Sequence, residues 1–320
     1  MCFGSTRAHL GVGHALNLKK QNTLALMAAM ILILIWGANF SVQKYLLDTL
    51  SPSGFLLGRY VIMPTCALIM MRVTLGRFFP PMARKDIFEL AGLGFVGHSL
   101  HVGIVCYGIH LSTPFSSSVI LACGPIFTLL ILRWKGHEKL QRYQVLGVMI
   151  AFTGVLLFLS EKIMKGDLRA TGGDMVLLVA SVLFSYYTVQ AKPLLEKYGS
   201  ILTMGYATLL GGLPVMLLSI PAGLEAPWAI LGVQGWAAMG WSVLISAFGG
   251  WFVWGWINQV RGVARTAPLM YLMPPVAGLF AWAITGEQYT ASKLVGAGIA
   301  LLGVAFAQFA QFAPQRKNPS

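Results

Sequence analysis

The sequence predicts an all-α membrane protein with ten transmembrane helices, arranged as a 5+5 inverted-topology repeat. Three observations support this fold class. First, the 320 residues are 57% hydrophobic and only 10% charged, whereas soluble domains carry about 25% charged residues. Second, the chain contains ten apolar runs, each long enough to cross about 30 Å of hydrocarbon as a helix. Third, a stretch in the first half recurs in the second half.

The ten apolar runs define the predicted helices. Helices are favoured because backbone polar groups in lipid must be satisfied within their own segment. The runs cover approximately residues 23–43, 53–71, 87–109, 114–133, 142–160, 174–191, 200–221, 236–258, 264–284 and 291–312. The chain is therefore divided into a cytoplasmic N-terminal tail (1–22), a first repeat (23–160), an external linker (161–173), a second repeat (174–312) and a cytoplasmic C-terminal tail (313–320).

The internal repeat is clearest between residues 125–155 and 274–304. A shift of 149 positions aligns these stretches without a gap and gives eight identities in 31 positions. Several identities are Pro, Glu or Gly, which match by chance less easily than apolar residues. We predict hinge or structural roles, rather than catalysis, for the residues matched across the repeat: Pro125, Glu138, Gly147, Pro274, Glu287 and Gly296.

The Lys and Arg residues predict the orientation of the chain. With both termini in the cytoplasm, seventeen of them lie in cytoplasmic segments and five in external segments, as the positive-inside rule requires. This distribution explains the net charge of +13 without a nucleic-acid partner. Because five helices is an odd number, the second repeat enters the membrane from the opposite side. Secondary transporters commonly have such inverted repeats, with the substrate site near the midplane between them.

The first apolar run ends in Trp36-Gly37-Ala38-Asn39-Phe40, and Lys44, Ser51-Pro52 and Arg59 follow it. This pattern, together with the repeated stretch described above, resembles the EamA-like permeases of the drug/metabolite transporter superfamily over about residues 24–310. The resemblance implies a ten-helix inverted repeat around a central cavity, in a carrier of small metabolites. Phe184 stands near the place of Trp36 in the second half, and Arg59 has no counterpart there.

Arg59 is the most informative single residue, because it lies within an apolar run. An unpaired arginine at such a position costs roughly 2.5–3.5 kcal/mol on insertion scales. One interpretation is an anion contact that faces the cavity, for example to a substrate carboxylate. The alternative is an arginine that snorkels outward or binds carbonyls at the helix end.

His98 and His101 lie near the middle of the third run, three positions apart and so on one helix face. They are candidates for a proton relay, since histidine titrates near neutrality. The alternative is hydrogen bonding between helices. All ten acidic residues lie in loops or at helix ends, so facilitated diffusion, exchange or histidine-based coupling are the mechanisms left open. An intramembrane enzyme based on these histidines would lack a nucleophile or carboxylate, and we predict that the protein is not an enzyme.

Further cavity candidates are aromatic and amide residues at helical spacing. Such a wall suits amino acids or other amphipathic metabolites. The alternative for any one of them is helix packing or the interfacial aromatic belt. The full candidate set is Trp36, Asn39, Phe40, Gln43, Arg59, His98, His101, Tyr186, Tyr187, Gln190, Trp251, Trp254, Asn258 and Tyr271.

Other motifs point away from cofactors. The four cysteines have no metal-ligand spacing, and the Gly92–Gly97 match to GxGxxG lies inside a membrane run, where helix packing explains it better than a dinucleotide. We therefore predict no cofactor and no metal. The predicted function is export of an amino acid or related compound across the cytoplasmic membrane. A homodimer is compatible with the sequence. The alternative is a drug, xenobiotic, nucleotide or sugar-derivative carrier.

Overall fold

The computed structural model describes residues 5–135, 142–164, 166–262 and 266–309, and in these residues all regular secondary structure is helical. We number the helices α1 (Ser5–Leu75), α2 (Arg84–Leu111), α3 (Pro114–Trp134), α4 (Arg142–Met164), α5 (Leu168–Leu224), α6 (Trp228–Arg261), α7 (Leu269–Thr285) and α8 (Ala291–Phe309). Among the described residues, six helices are long and apolar enough to cross a membrane. Their outward surfaces are apolar, as expected where lipid is the solvent.

The two longest helices each contain a break. In α1 it falls at Ser51, with φ 67° and ψ 162°, just before Pro52. In α5 it falls at Gly199, with φ 76° and ψ 166°. Glycine adopts positive φ readily, whereas serine rarely does.

The chain folds back on itself at the Gly199 break. The Tyr187 hydroxyl donates to the Met204 sulfur at 3.6 Å, although these residues would be about 25 Å apart along a straight helix. Closer to the turn, the Thr203 hydroxyl donates to the Leu194 carbonyl at 3.1 Å. The 57-residue helix α5 is therefore two segments that pack against each other.

Helices α4 and α8 run antiparallel and pack backbone against backbone. A Cβ atom at Gly147 would lie 2.5 Å from the amide nitrogen of Ala307, and one at Gly296 would lie 2.5 Å from that of Phe158. Between these contacts, Gly154 faces Ala300 so closely that a side chain would overlap its backbone. Small residues permit this approach between membrane helices, and Gly147 and Gly296 both lie at this close contact.

Helix ends extend beyond the predicted apolar runs. Helix α1 begins at Ser5, inside the predicted N-terminal tail. At the predicted linker, α4 continues to Met164 and α5 begins at Leu168. The Asp167 carboxylate accepts from the amide of Ala170 at 3.0 Å, a capping contact that lets α5 begin outside the apolar run. Glu138 and the predicted C-terminal tail (313–320) lie outside the described residues.

Helices α2, α3, α6 and α7 are irregular near the centre of the protein. Both α2 and α6 widen to π-helical geometry, over Phe95–His101 and Trp241–Gly249. Helix α3 is interrupted after Leu121 and resumes at Gly124, with Pro125 in its first turn. Helix α7 changes from 3-10 to α-helical geometry at Met273, next to Pro274. These irregular stretches surround the cavity described next.

Candidate functional site

A cavity of about 120 Å³ lies at the centre of the helices. Among the residues predicted from the sequence, seven line it: Trp36, Asn39, Phe40, Gln43, Arg59, His101 and Trp251. The first four follow helical spacing on α1, so one face of that helix forms much of the wall. Gln43 and Arg59 stand eight residues before and after Ser51, and a straight helix would separate them by about 24 Å. The break at Ser51 therefore brings them to one cavity.

A chain of polar contacts fixes the amide side chains on α1. The Asn39 amide nitrogen donates to the Gln43 side-chain oxygen at 3.2 Å, and the Gln43 nitrogen lies 3.4 Å from the Cys106 sulfur. The Asn39 oxygen, Oδ1, has no hydrogen-bond partner. Buried acceptors normally find a partner, so the Asn39 oxygen is available to a ligand.

Arg59 is a buried cation in the cavity wall. Its side chain is only 6% exposed, and its Nε atom has no hydrogen-bond partner. The nearest aromatic contact is with Tyr60, whose ring centre is 5.8 Å from the guanidinium carbon. No carboxylate is present among the described residues that line the cavity. A buried charge without a counter-charge is costly, which favours a ligand that supplies one.

The two histidines lie on the π-helical part of α2 but in different surroundings. His101 lines the cavity, and its Nδ1 lies 2.9 Å from the Ala180 carbonyl oxygen. His98 is fully buried behind the wall, with its ring 4.5 Å from that of Trp251. The Tyr60 hydroxyl donates to the His98 backbone carbonyl at 2.8 Å. Of the two side chains, only His101 is placed to contact a ligand.

Trp251 is the centre of the aromatic wall. Its ring lies 5.3 Å from that of Tyr187 and 6.0 Å from that of Phe184. On the opposite side, the Trp36 indole nitrogen donates to the Ser246 carbonyl at 2.9 Å. Aromatic rings held at these distances form a stable surface for the apolar part of a ligand.

Six further predicted candidates lie outside the cavity lining, in addition to His98. Tyr187 supports Trp251 from behind, and Trp254 packs against Trp36 at 5.5 Å. The Asn258 amide donates to the Trp254 carbonyl at 3.0 Å. Tyr271 is buried in a small cluster with Ile126, next to α4 and α8. Tyr186 and Gln190 are half-buried on α5 and are not part of the lining.

Sequence reasoning missed several lining residues, mostly apolar ones: Val102, Val105, Ile109, Leu121, Ser181, Phe184, Ser246, Ala247, Met270 and Met273. The repeat contained a signal for some of them. A shift of 148 or 149 positions relates Trp36 to Phe184 and Leu121 to Met270, and all four line the cavity. Pairing residues across the repeat would therefore have located part of the wall.

Glu287 holds the start of α3 from a distant part of the chain. Its carboxylate accepts from the Thr113 hydroxyl at 2.7 Å and from the Phe115 amide at 3.2 Å. Lys293 forms an ion pair with it at 2.7 Å. A carboxylate at a helix N-terminus accepts hydrogen bonds from free amides and interacts favourably with the positive end of the helix dipole. The described contacts of Glu287 therefore join the start of α3 to the segment between α7 and α8.

A second and larger cavity, of about 790 Å³, lies beside the part of α1 that precedes the Ser51 break, the start of α3 and the end of α7. Its lining includes Lys44, Asp48, Thr113 and Glu287. Lys44 and His110 both contact the Asp48 carboxylate at 3.1 Å. This polar vestibule differs sharply from the opposite end of the bundle, where Leu32, Ile33, Ile257 and their neighbours form a packed apolar cluster.

Long apolar helices indicate a multi-pass membrane protein, and a small cavity between such helices is typical of the transporter class. The profile described as the EamA-like transporter family matches residues 23–160 and again residues 171–309. The chain belongs to this family, as the sequence resemblance indicated. Family and relatives point to a transporter rather than an enzyme.

Several curated relatives match over most of their length. A probable terminal-alkyne amino-acid exporter of Streptantibioticus cattleyicolor is 27% identical, over 88% of this chain and 92% of its own. An uncharacterized transporter, YyaM, of Bacillus subtilis is 23% identical, over 84% and 88%. A probable amino-acid metabolite efflux pump of Salmonella typhimurium is 22% identical, over 86% and 92%. A solved crystal structure shares the fold, with a TM-score of 0.64 at 15% identity over 90% of this chain and 97% of that one.

Proposed function

We propose that the protein exports a small amphipathic metabolite, an amino acid or a related compound, across the cytoplasmic membrane by alternating access. The observation that carries the proposal is a central cavity whose wall is supplied by both repeats. Its described lining, with one arginine, two side-chain amides and an aromatic wall, suits a small ligand with a polar and an apolar end. Two relatives are named as exporters of amino acids or their metabolites, which supports the same substrate class.

The proposed mechanism needs two halves of inverted topology, with ten membrane crossings in total. Counting α1 and α5 as two crossings each, because of the breaks at Ser51 and Gly199, gives this number. The contacts between α4 and α8 support the inversion. A shift of 149 positions converts the contact of Gly147 with Ala307 into that of Gly296 with Phe158. A pair of antiparallel helices related in this way has the local two-fold symmetry that an inverted repeat requires.

The same shift relates the irregular helices. The break before Pro125 in α3 corresponds to the change of helix type before Pro274 in α7, and both lie beside the cavity. The π-helical stretch Phe95–His101 corresponds to part of Trp241–Gly249. Discontinuous helices in corresponding positions of two halves are typical of transporter binding sites. The hinge role proposed for Pro125 and Pro274 agrees with this arrangement.

The two ends of the bundle favour a conformation accessible from outside. With both termini in the cytoplasm, the polar vestibule at Asp48 and Glu287 is external, and the apolar cluster around Leu32 and Ile257 closes the cytoplasmic end. Alternating access requires a second conformation in which the cluster opens. A tag at either terminus should resist modification in intact cells, and an externally accessible C-terminus would contradict the odd-helix topology.

The test of this function is metabolite efflux. Cells that overproduce the protein should accumulate one or a few amino acids or related compounds in the medium relative to an empty-vector strain. Trp251→Ala should abolish the rise, because it removes the centre of the wall. Leu218→Ala, at a position 81% exposed on the outer surface, should leave the rise intact. An unchanged profile of the medium for the unmodified protein would contradict export.

A further inference from the structure

Two buried polar atoms in the cavity wall lack partners, and they differ in charge. Arg59 is 6% exposed, its Nε has no hydrogen-bond partner, and no ion pair with a described carboxylate neutralises it. Asn39 is 8% exposed, and its Oδ1 has no partner. The wall therefore offers a full positive charge to one part of a ligand and only a neutral oxygen to another.

The network on α1 determines which Asn39 atom is left over. Its amide nitrogen is directed to Gln43, and the Gln43 nitrogen is directed to Cys106. The free oxygen is an acceptor, suited to an amine or ammonium group. An ammonium would also meet aromatic faces at Trp36 and Trp251, which attract cations weakly. It would meet no described carboxylate in the lining.

We propose that the carboxylate is the group this cavity requires, bound by Arg59, and that the α-amino group is dispensable. The proposal rests on the proposed function and narrows it to small monocarboxylates with an apolar side group. Amino acids and their 2-oxo counterparts are both accepted, whereas the decarboxylated amines are not. The reason is that the guanidinium and the carboxylate carry opposite charges and can pair through two parallel hydrogen bonds, whereas the ammonium group meets only a neutral oxygen.

The test is ligand binding to the purified protein, measured as thermal stabilisation and by competition. Two matched sets share one side chain each: phenylalanine, phenylpyruvate and phenethylamine, and leucine, its 2-oxo acid and isoamylamine. In at least one set, the amino acid and the oxo acid should stabilise the protein with affinities within about 100-fold of each other, because they differ by one contact between an ammonium group and a neutral oxygen. The amine should give no shift.

Variants assign the effect to the two residues. Arg59→Gln should lose binding of both acids, and Arg59→Lys should retain part of it because the charge stays. Arg72→Gln is the matched control, since Arg72 is exposed and its described contacts, the Gly76 carbonyl and the Phe78 ring, lie outside the cavity lining. Asn39→Ala should weaken the amino acid and leave the oxo acid unchanged.

Four results would overturn the proposal. They are binding of the amines as tight as that of the acids, binding of none of the six compounds, a preference for amino acids over oxo acids greater than about 100-fold, and unchanged acid binding by Arg59→Gln. Efflux by whole cells separates this proposal from the function itself. Export of a metabolite that Arg59→Gln does not impair would retain the transporter and remove the carboxylate site. Binding of the acids without export of any metabolite would retain the carboxylate site and contradict the proposed export function.

Discussion

The α4–α8 interface and the wall of the central cavity are both built from corresponding parts of the two repeats. The close backbone contacts recur in both copies of the interface, whereas the buried charge of the cavity occurs in one copy alone among the described lining residues. At the interface, the contact of Gly147 with Ala307 recurs as that of Gly296 with Phe158. In the cavity, Arg59 corresponds to Ala207 or Thr208, depending on the shift, and neither lines the wall. Close backbone contacts leave no room for a side chain at Gly147 or Gly296, whereas a binding wall gains selectivity when its two sides differ.

The largest effect should come from filling the interface. Gly154→Ala places a methyl group against the backbone of Ala300, and overpacking of this kind costs about 1–3 kcal/mol. We expect a clear fall in melting temperature and in the yield of monodisperse protein. Gly298→Ala, on α8 with no atom within 4 Å of the added Cβ, should be neutral. Equal behaviour of the two variants would mean that the close packing is not needed for stability.

A large but selective effect should come from the cavity wall. Trp251→Ala removes a side chain that buries about 150–250 Å², and a loss of 1.4 kcal/mol is already tenfold in affinity. We expect transport to fall by about tenfold or more while the protein stays folded. Trp236→Ala, at a site 52% exposed, serves as the control. If Trp251→Ala instead lowered stability without changing flux, the Trp251 side chain would contribute to folding, as the α4–α8 interface does, and not to substrate binding.

The sequence predicted the helical class and the family, and seven of its fourteen cavity candidates line the central cavity. These features depend on local pattern, such as apolar length, Gly spacing and the stripe from Trp36 to Gln43. Predictions were less complete where tertiary packing decides. Tyr271 is an aromatic residue of the kind expected in a binding wall, but it packs in the cluster that contains Ile126. Leu121 lines the cavity, although nothing in its apolar run distinguishes it from its neighbours. Residue type alone does not show whether a buried side chain faces the cavity or packs behind the residues that line it.

The two histidines test whether a residue that lines the cavity affects transport more than a residue packed behind the lining. His101 lines the cavity and His98 lies behind it, so His101→Asn should change transport more than His98→Asn. If the histidines couple protons to transport, the double variant should flatten the dependence of flux on pH between about 5 and 8. His110→Asn, next to Asp48 at the vestibule, is the control for loss of a histidine outside the cavity. A pH profile retained by the double variant would remove both residues from the mechanism.

The smallest effect should come from the contact between Tyr289 and α7, at the rim of the scaffold. The Tyr289 hydroxyl donates to the Gly278 carbonyl at 2.7 Å, and a typical hydrogen bond contributes about 0.5–1.5 kcal/mol. Burial and the nearby Glu287 carboxylate raise the pKa of Tyr289 from 10.0 to about 12. Because the folded pKa exceeds the unfolded one, the stabilisation is fully present below pH 10.0 and is lost as the pH rises toward about 12.

Tyr289→Phe should therefore lower the melting temperature by a few degrees at most, equally at every pH from about 6 to 9. Melting curves of the detergent-solubilised protein across this range would measure the difference. A difference that grew or vanished within the range would mean that another group, such as Glu287, titrates with the contact. A constant difference in melting temperature across this pH range would group Tyr289 with the interface glycines, as a residue whose contribution to stability does not depend on pH.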